Sequence, residues 1–160
     1  MPDSFEFPVD RTQVMLFARS LGDIRPEYSD PDAAATKAVG GIVVPPTFVQ
    51  CSAHWQPDYP LDITRPRAAP RPSSGGGGGG GGGGLGRGLH AEMHYEYHHP
   101  IHEGDTLTVS TRPGERWEKQ GRRGGKLLFS DTITEYVNQD GVLCVTARSV
   151  GVQTEKAVEQ

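Results

Sequence analysis

The sequence predicts an α+β fold, with helices gathered in the first third of the chain and an antiparallel run of strands at its end. Three observations carry this expectation. Apolar residues recur at helical spacing before Pro57, and segments rich in Thr, Val, Tyr and Ile follow Gly88. A tract of Pro, Arg and Gly with no periodicity separates the two regions.

Residues 10–21 read as a helix, with Asp10 as its N-cap and Val14, Leu16, Phe17 and Leu21 roughly on one face. Gly22 ends it. Residues 31–38 read as a short helix opened by Pro31 and closed by Gly40-Gly41. Ile42-Val43-Val44 is a brief extended piece, after which Pro45-Pro46 opens a more buried helix running to Trp55 and stopped by Pro57. Residues 58–87 lose every periodic signal and include ten consecutive glycines, Gly75 to Gly84. Such a run cannot offset the entropy of ordering it, so about 62–87 is expected to be a disordered loop. Residues 89–97, 105–117, 126–137 and 142–152 read as strands, with turns at Asn138–Gly141 and Gln120–Gly125. The 160 residues make one domain, 1–160, with the helices on one face of the sheet.

A net charge of −4 argues against nucleic acid as the main partner. No apolar run approaches the ~18 residues of a membrane span. The N-terminus lacks a basic region followed by an apolar stretch, so no secretory signal is read there. Cys51 and Cys144, far apart, read as reduced thiols, which fits a cytoplasmic location.

The chemistry concentrates at Gly22-Asp23-Ile24-Arg25-Pro26-Glu27-Tyr28, which puts a carboxylate in a tight turn and a phenol five residues on. That stretch, Gly40-Gly-Ile-Val-Val-Pro-Pro-Thr-Phe48, Leu89-His-Ala-Glu92 and Tyr97-His-His-Pro-Ile-His-Glu-Gly-Asp-Thr-Leu107 together resemble the MaoC-like hot-dog dehydratases. The likeness is to the branch related to the N-terminal dehydratase domain of fatty-acid-synthase type, and it covers nearly all of the chain outside the glycine tract. The resemblance implies a single hot-dog fold, a long central helix starting near Pro46 and wrapped by a curved antiparallel sheet. It also implies pairing with a second such unit and an acyl-CoA tunnel between the two.

Catalytic relatives hydrate enoyl thioesters or dehydrate (R)-3-hydroxyacyl thioesters with a Gly-Asp-x-Asn-Pro-x-His motif. Their aspartate and histidine hold a water, and a backbone N–H at the start of the central helix polarises the thioester carbonyl. Carried over position by position, Asp23 matches the aspartate, Arg25 stands at the asparagine and Tyr28 at the histidine. Pro46 falls at the glycine whose N–H would serve as oxyanion donor, and neither Pro45 nor Pro46 has an N–H. A phenol with pKa ~10 is a poor base beside an imidazole near ~6.5. Losing one oxyanion donor typically lowers a rate by ~10²–10³.

The resemblance therefore implies an accessory or pseudo-catalytic subunit of an (R)-specific enoyl-CoA hydratase or 3-hydroxyacyl-thioester dehydratase. Such a chain forms half of the acyl-CoA tunnel and works with a second MaoC-like chain. Two alternatives stay open: a non-catalytic homodimeric acyl-CoA binding protein, and a self-sufficient hydratase using Asp23 and Tyr28. Asp23 also reads as a turn-capping carboxylate and Tyr28 as a packed phenol. Gly41, Pro46, Thr47, Phe48 and Arg87 are the expected substrate-binding residues.

No cofactor or metal is expected. His90, His94 and His98 recur every four residues on a strand, ~13 Å apart in succession, too far to share one ion. The glycine run lacks the Gly-Lys-Ser/Thr of a phosphate loop, although Arg71 and Arg87 beside it suit a CoA phosphate. Phe48, Trp55 and Phe129 suit an acyl tunnel or plain core, and His54 reads as an interior histidine.

Overall fold

The computed structural model of the chain describes residues 4–56, 88–121 and 125–154. The expected loop at 62–87, Arg71 and Arg87 lie outside the described residues.

The first element is a strand beyond those expected from the sequence, β1 (Ser4–Pro8). It is short and ends in proline, but Phe5 and Phe7 alternate to one face, and Phe7 is fully buried against the register partner Leu107. Helix α1 (Arg11–Ser20) begins as expected, with the Asp10 carboxylate accepting from the N–H groups of Thr12 (2.8 Å) and Gln13 (3.2 Å). Its inner face differs from expectation. Val14 and Ala18 are buried and Phe17 packs against the core, whereas Leu16 and Leu21 are more than half exposed. The helix closes on Gly22 at φ +73°, with Gly22 N–H on the Arg19 carbonyl and Asp23 N–H on the Ala18 carbonyl, both 3.0 Å. This is a left-handed cap that suits glycine, and it leaves Asp23 as the first residue beyond the cap.

A single turn of 3₁₀ helix (Pro26–Tyr28) follows, then α2 (Ala34–Ala38), three residues later than its expected start. The reason is local: Asp30 Oδ1 accepts from the Asp32 N–H (2.9 Å), holding Asp30–Asp32 in an Asx turn before the helix begins.

Strands β2 (Gly88–Tyr97), β3 (Thr106–Gln120), β4 (Lys126–Val137) and β5 (Leu143–Thr154) join β1 in one antiparallel sheet of order β1-β3-β4-β5-β2. The β4–β5 turn forms as read, with Asn138 Oδ1 accepting from the N–H groups of Asp140 (3.1 Å) and Val142 (2.9 Å). Register partners Phe5, Val109, Tyr136, Val145 and Tyr97 form one row across all five strands. The side chains of such a row share a face, and the helical segments pack on that face.

The expected long central helix wrapped by a curved sheet is not what forms. The sheet is open, with β1 and β2 as its two edges. The segment after Pro46 is an eight-residue 3₁₀ helix (Phe48–Trp55) on one side of it. At about 2.0 Å per residue this segment spans roughly 16 Å. Strands of ten to fifteen residues are about twice as long or more, so it cannot fill a concave sheet. The tighter helix also has a cause. Phe48 N–H bonds the Pro45 carbonyl (2.9 Å) and Gln50 N–H the Thr47 carbonyl (3.0 Å). The Pro46 and Val49 carbonyls, which an α-helix would use itself, instead accept from the hydroxyls of Tyr97 (2.9 Å) and Tyr136 (3.3 Å). Phe48 is fully buried, its ring 5.7 Å from that of Phe7 and edge-on to Phe17 at 5.6 Å.

Candidate functional site: an Asp–Arg–Tyr clasp beside a tyrosine-lined segment

The cap on Gly22 leaves Asp23 half-buried at the start of the turn, and the Pro26–Tyr28 helix carries Tyr28 back into the core. Between them Arg25 closes the gap. Its Nε lies 3.0 and 3.2 Å from the two oxygens of Asp23, and its Nη2 lies 2.8 Å from Oδ2. The same Nη2 donates to the Tyr28 hydroxyl, and the guanidinium lies over the Tyr28 ring, 4.9 Å from its centre. Both Asp23 oxygens are thus engaged by one planar fork.

The electrostatics follow from this geometry. Hydrogen bonding to Arg25 holds the Asp23 carboxyl below the usual carboxylate range, making it a weak base. Burial pushes the Tyr28 phenol up, so it keeps its proton at neutral pH. The Asp23 contact raises the Arg25 pKa further. These contacts favour an ionised Asp23 and a protonated Tyr28 near neutral pH.

Backbone contacts tie the clasp to the second group of expected site residues. Thr36 Oγ1 donates to the Pro26 carbonyl (3.1 Å), and Gly41 N–H donates to the Thr36 carbonyl (3.0 Å). Val43 N–H donates to the Glu27 carbonyl (3.1 Å), three residues before Pro46. Pro46 and Thr47 are exposed and Phe48 is core, so of this group the structure brings Gly41 closest to the clasp by hydrogen bonding.

Three tyrosines beside the Phe48–Trp55 helix were not singled out by their sequence positions. Tyr95 and Tyr97 stand two apart on edge strand β2, so they share a face and their rings stack at 6.0 Å. That i, i+2 spacing was the available signal. Tyr97 donates to the Pro46 carbonyl, Tyr95 accepts from Gln50 Nε2, and Tyr136 reaches the Val49 carbonyl and Ser52 Oγ (3.3 Å each).

Burial raises the pKa of Tyr28, Tyr97 and Tyr136 above 10.0. The folded state holds these protons more tightly than the unfolded chain. Their contribution to stability is therefore complete below about pH 10 and is lost as the pH rises through the folded values. Urea midpoints are expected to fall as the pH rises above about 10, together with the appearance of phenolate absorbance. A flat midpoint over that range would contradict this.

The remaining candidates separate in space. His94 contacts Glu92 (3.0 Å), His98 contacts Thr146 Oγ1 (2.9 Å) and His102 contacts the Val39 carbonyl (3.0 Å). No trio of metal-ligating side chains converges among the described residues. His54 is exposed, Trp55 is 43% exposed with its ring 5.7 Å from Phe7, and Phe129 stacks on Trp117 at 5.3 Å. Cys51 and Cys144 are free thiols. Among the described residues, no helix is long and apolar enough to cross a membrane.

A family model described as FAS1-like, dehydratase domain region, matches residues 2–147. The chain belongs to that family. Its fold is similar to that of MaoC-like dehydratases of known structure, one of them from Rhodospirillum rubrum. Solved structures agree in fold with this FAS1-like dehydratase domain. The ChsH1-ChsH2 complex from Mycobacterium tuberculosis is 19% identical, covering 98% of this chain and 85% of that one with a TM-score of 0.70. A C-terminally truncated HadBC (3R-hydroxyacyl-ACP dehydratase) complex from the same organism is 22% identical, with coverage of 95% and 94% and a TM-score of 0.65. A UPF0336 protein from Streptomyces avermitilis is 38% identical over 48 residues, which is 30% of this chain and about a third (32%) of that relative's length.

Proposed function

We propose that this FAS1-like dehydratase domain is the accessory half of a cytoplasmic, heteromeric (R)-specific enoyl-CoA hydratase or 3-hydroxyacyl-thioester dehydratase. It contributes one side of the acyl-CoA tunnel, and a second MaoC-like chain contributes the acid–base pair. The observation that carries this reading is the Arg25 clasp, which engages both oxygens of Asp23 and the hydroxyl of Tyr28. The absence of an N–H at Pro45 and Pro46 supports it. Two of the structural relatives are complexes of two different chains, and one of them is named a 3R-hydroxyacyl-ACP dehydratase.

The test is hydration of crotonyl-CoA by the purified chain, alone and with a MaoC-like chain that carries an intact Gly-Asp-x-Asn-Pro-x-His motif. The chain alone is expected to fall below the pair by at least ~10²–10³ in kcat/KM. Asp23→Ala is expected to leave the rate of the pair within about twofold, because the carboxylate is not the base. Robust turnover by the chain alone, abolished by Asp23→Ala, would overturn the accessory role. Acyl-CoA binding by a homodimer that retains no partner would overturn it in favour of a binding protein.

A further inference from the structure

Five polar side chains, Tyr95, Tyr97 and Tyr136 from the sheet and Gln50 and Ser52 from the Phe48–Trp55 helix, bond to one another or to the Pro46 and Val49 carbonyls, and these bonds sort them into spent and unspent donors. Tyr97 gives its proton to the Pro46 carbonyl and Tyr136 gives its proton to the Val49 carbonyl, with Ser52 Oγ 3.3 Å from Tyr136. Gln50 and Tyr95 are different. Gln50 Nε2 donates one N–H to the Tyr95 hydroxyl. A primary amide carries a second N–H, and a hydroxyl that accepts one hydrogen bond keeps its own proton to give. Gln50 is exposed and Tyr95 half-buried, and among the described residues neither of these two protons has an acceptor. Gln50 lies four residues after Pro46, and at Pro45-Pro46 the backbone has no N–H to offer.

We infer that Gln50 and Tyr95 form the hydrogen-bond donor pair that takes the carbonyl oxygen of an acyl thioester on this chain, replacing the donor that Pro46 lacks. The assignment rests on the acyl-thioester reading proposed above and names the residues that recognise the carbonyl. Polarity in this pair comes from side chains on two different elements, the helix and edge strand β2.

Two ligands that differ only at that oxygen test it: octanoyl-CoA and its thioether S-octyl-CoA, titrated by calorimetry into the full chain together with its MaoC-like partner. The wild type is expected to prefer octanoyl-CoA. Gln50→Leu and Tyr95→Phe are each expected to weaken octanoyl-CoA by about fivefold to tenfold, the loss of one hydrogen bond. S-octyl-CoA should change by less than about twofold. Equal weakening of both ligands, or of neither, would overturn the donor assignment while leaving the thioester reading standing. A wild-type complex that binds neither ligand would overturn both.

Discussion

Phe48→Ala is expected to destabilise the chain by about 3–5 kcal/mol, read as a fall in the urea midpoint with an unchanged slope. The ring is fully buried between Phe7 of β1 and Phe17 of α1, so it joins the first strand, the first helix and the 3₁₀ segment in one contact. Truncation removes the transfer energy of a benzyl group and leaves a cavity that three separate elements would have to close. Trp55→Ala provides the contrast. Its ring also touches Phe7 but is 43% exposed, and it should lose less than half as much. A Phe48→Ala effect below about 1 kcal/mol would mean that the Phe7–Phe17–Phe48 cluster is not the core of the helical side. The functional consequence follows from position: Phe48 anchors the segment that presents Pro46, Thr47 and Gln50.

Arg148→Met is expected to destabilise the far end of the sheet by roughly 2–4 kcal/mol. Asp131 on β4 is 5% exposed and receives the Arg148 Nε and the Glu115 N–H, both at 2.5 Å. Removing the guanidinium leaves a buried carboxylate with one donor, a defect that typically costs about 3–5 kcal/mol. The lower range applies because the Arg148 side chain is itself 37% exposed and partly solvated. The same carboxylate explains a bulge. The β3–β4 register shifts between Pro113 and Arg116, and a Cβ added at Gly114 would lie 1.9 Å from Asp131 Oδ1. Asp131→Leu combined with Arg148→Met should recover part of the loss, because an apolar pair leaves no unpaired charge. A double variant no more stable than Arg148→Met, measured by thermal melting, would contradict this account.

Much of the secondary structure was legible from local chemistry. The Asp10 cap, the Gly22 stop, the Asn138–Gly141 turn and the run from Lys126 to Val137 each depend on neighbours in sequence, and each forms as read. Strand β1 was not legible, because five residues ending in proline become a strand only when β3 supplies the other half of the ladder. The 3₁₀ form of the segment after Pro46 is not legible for a related reason. Its carbonyls at Pro46 and Val49 are taken by tyrosines fifty or more residues away, and no local pattern reports that.

At the candidate site the sequence alone fixes the residue types: a carboxylate, a guanidinium and a phenol in one turn, and two successive prolines without an N–H at 45 and 46. Those identities alone left Asp23 and Tyr28 readable as an acid–base pair. In the folded chain Arg25 reaches both of them and Tyr28 is drawn into the core, which no local pattern reports. A pKa is set by burial and by the charges within a few ångströms, and those distances come from the packing of the turn. The same holds for the sheet. Composition points to strands, whereas their order β1-β3-β4-β5-β2, with β1 and β2 outermost among the described residues, comes from long-range pairing that no local pattern reports.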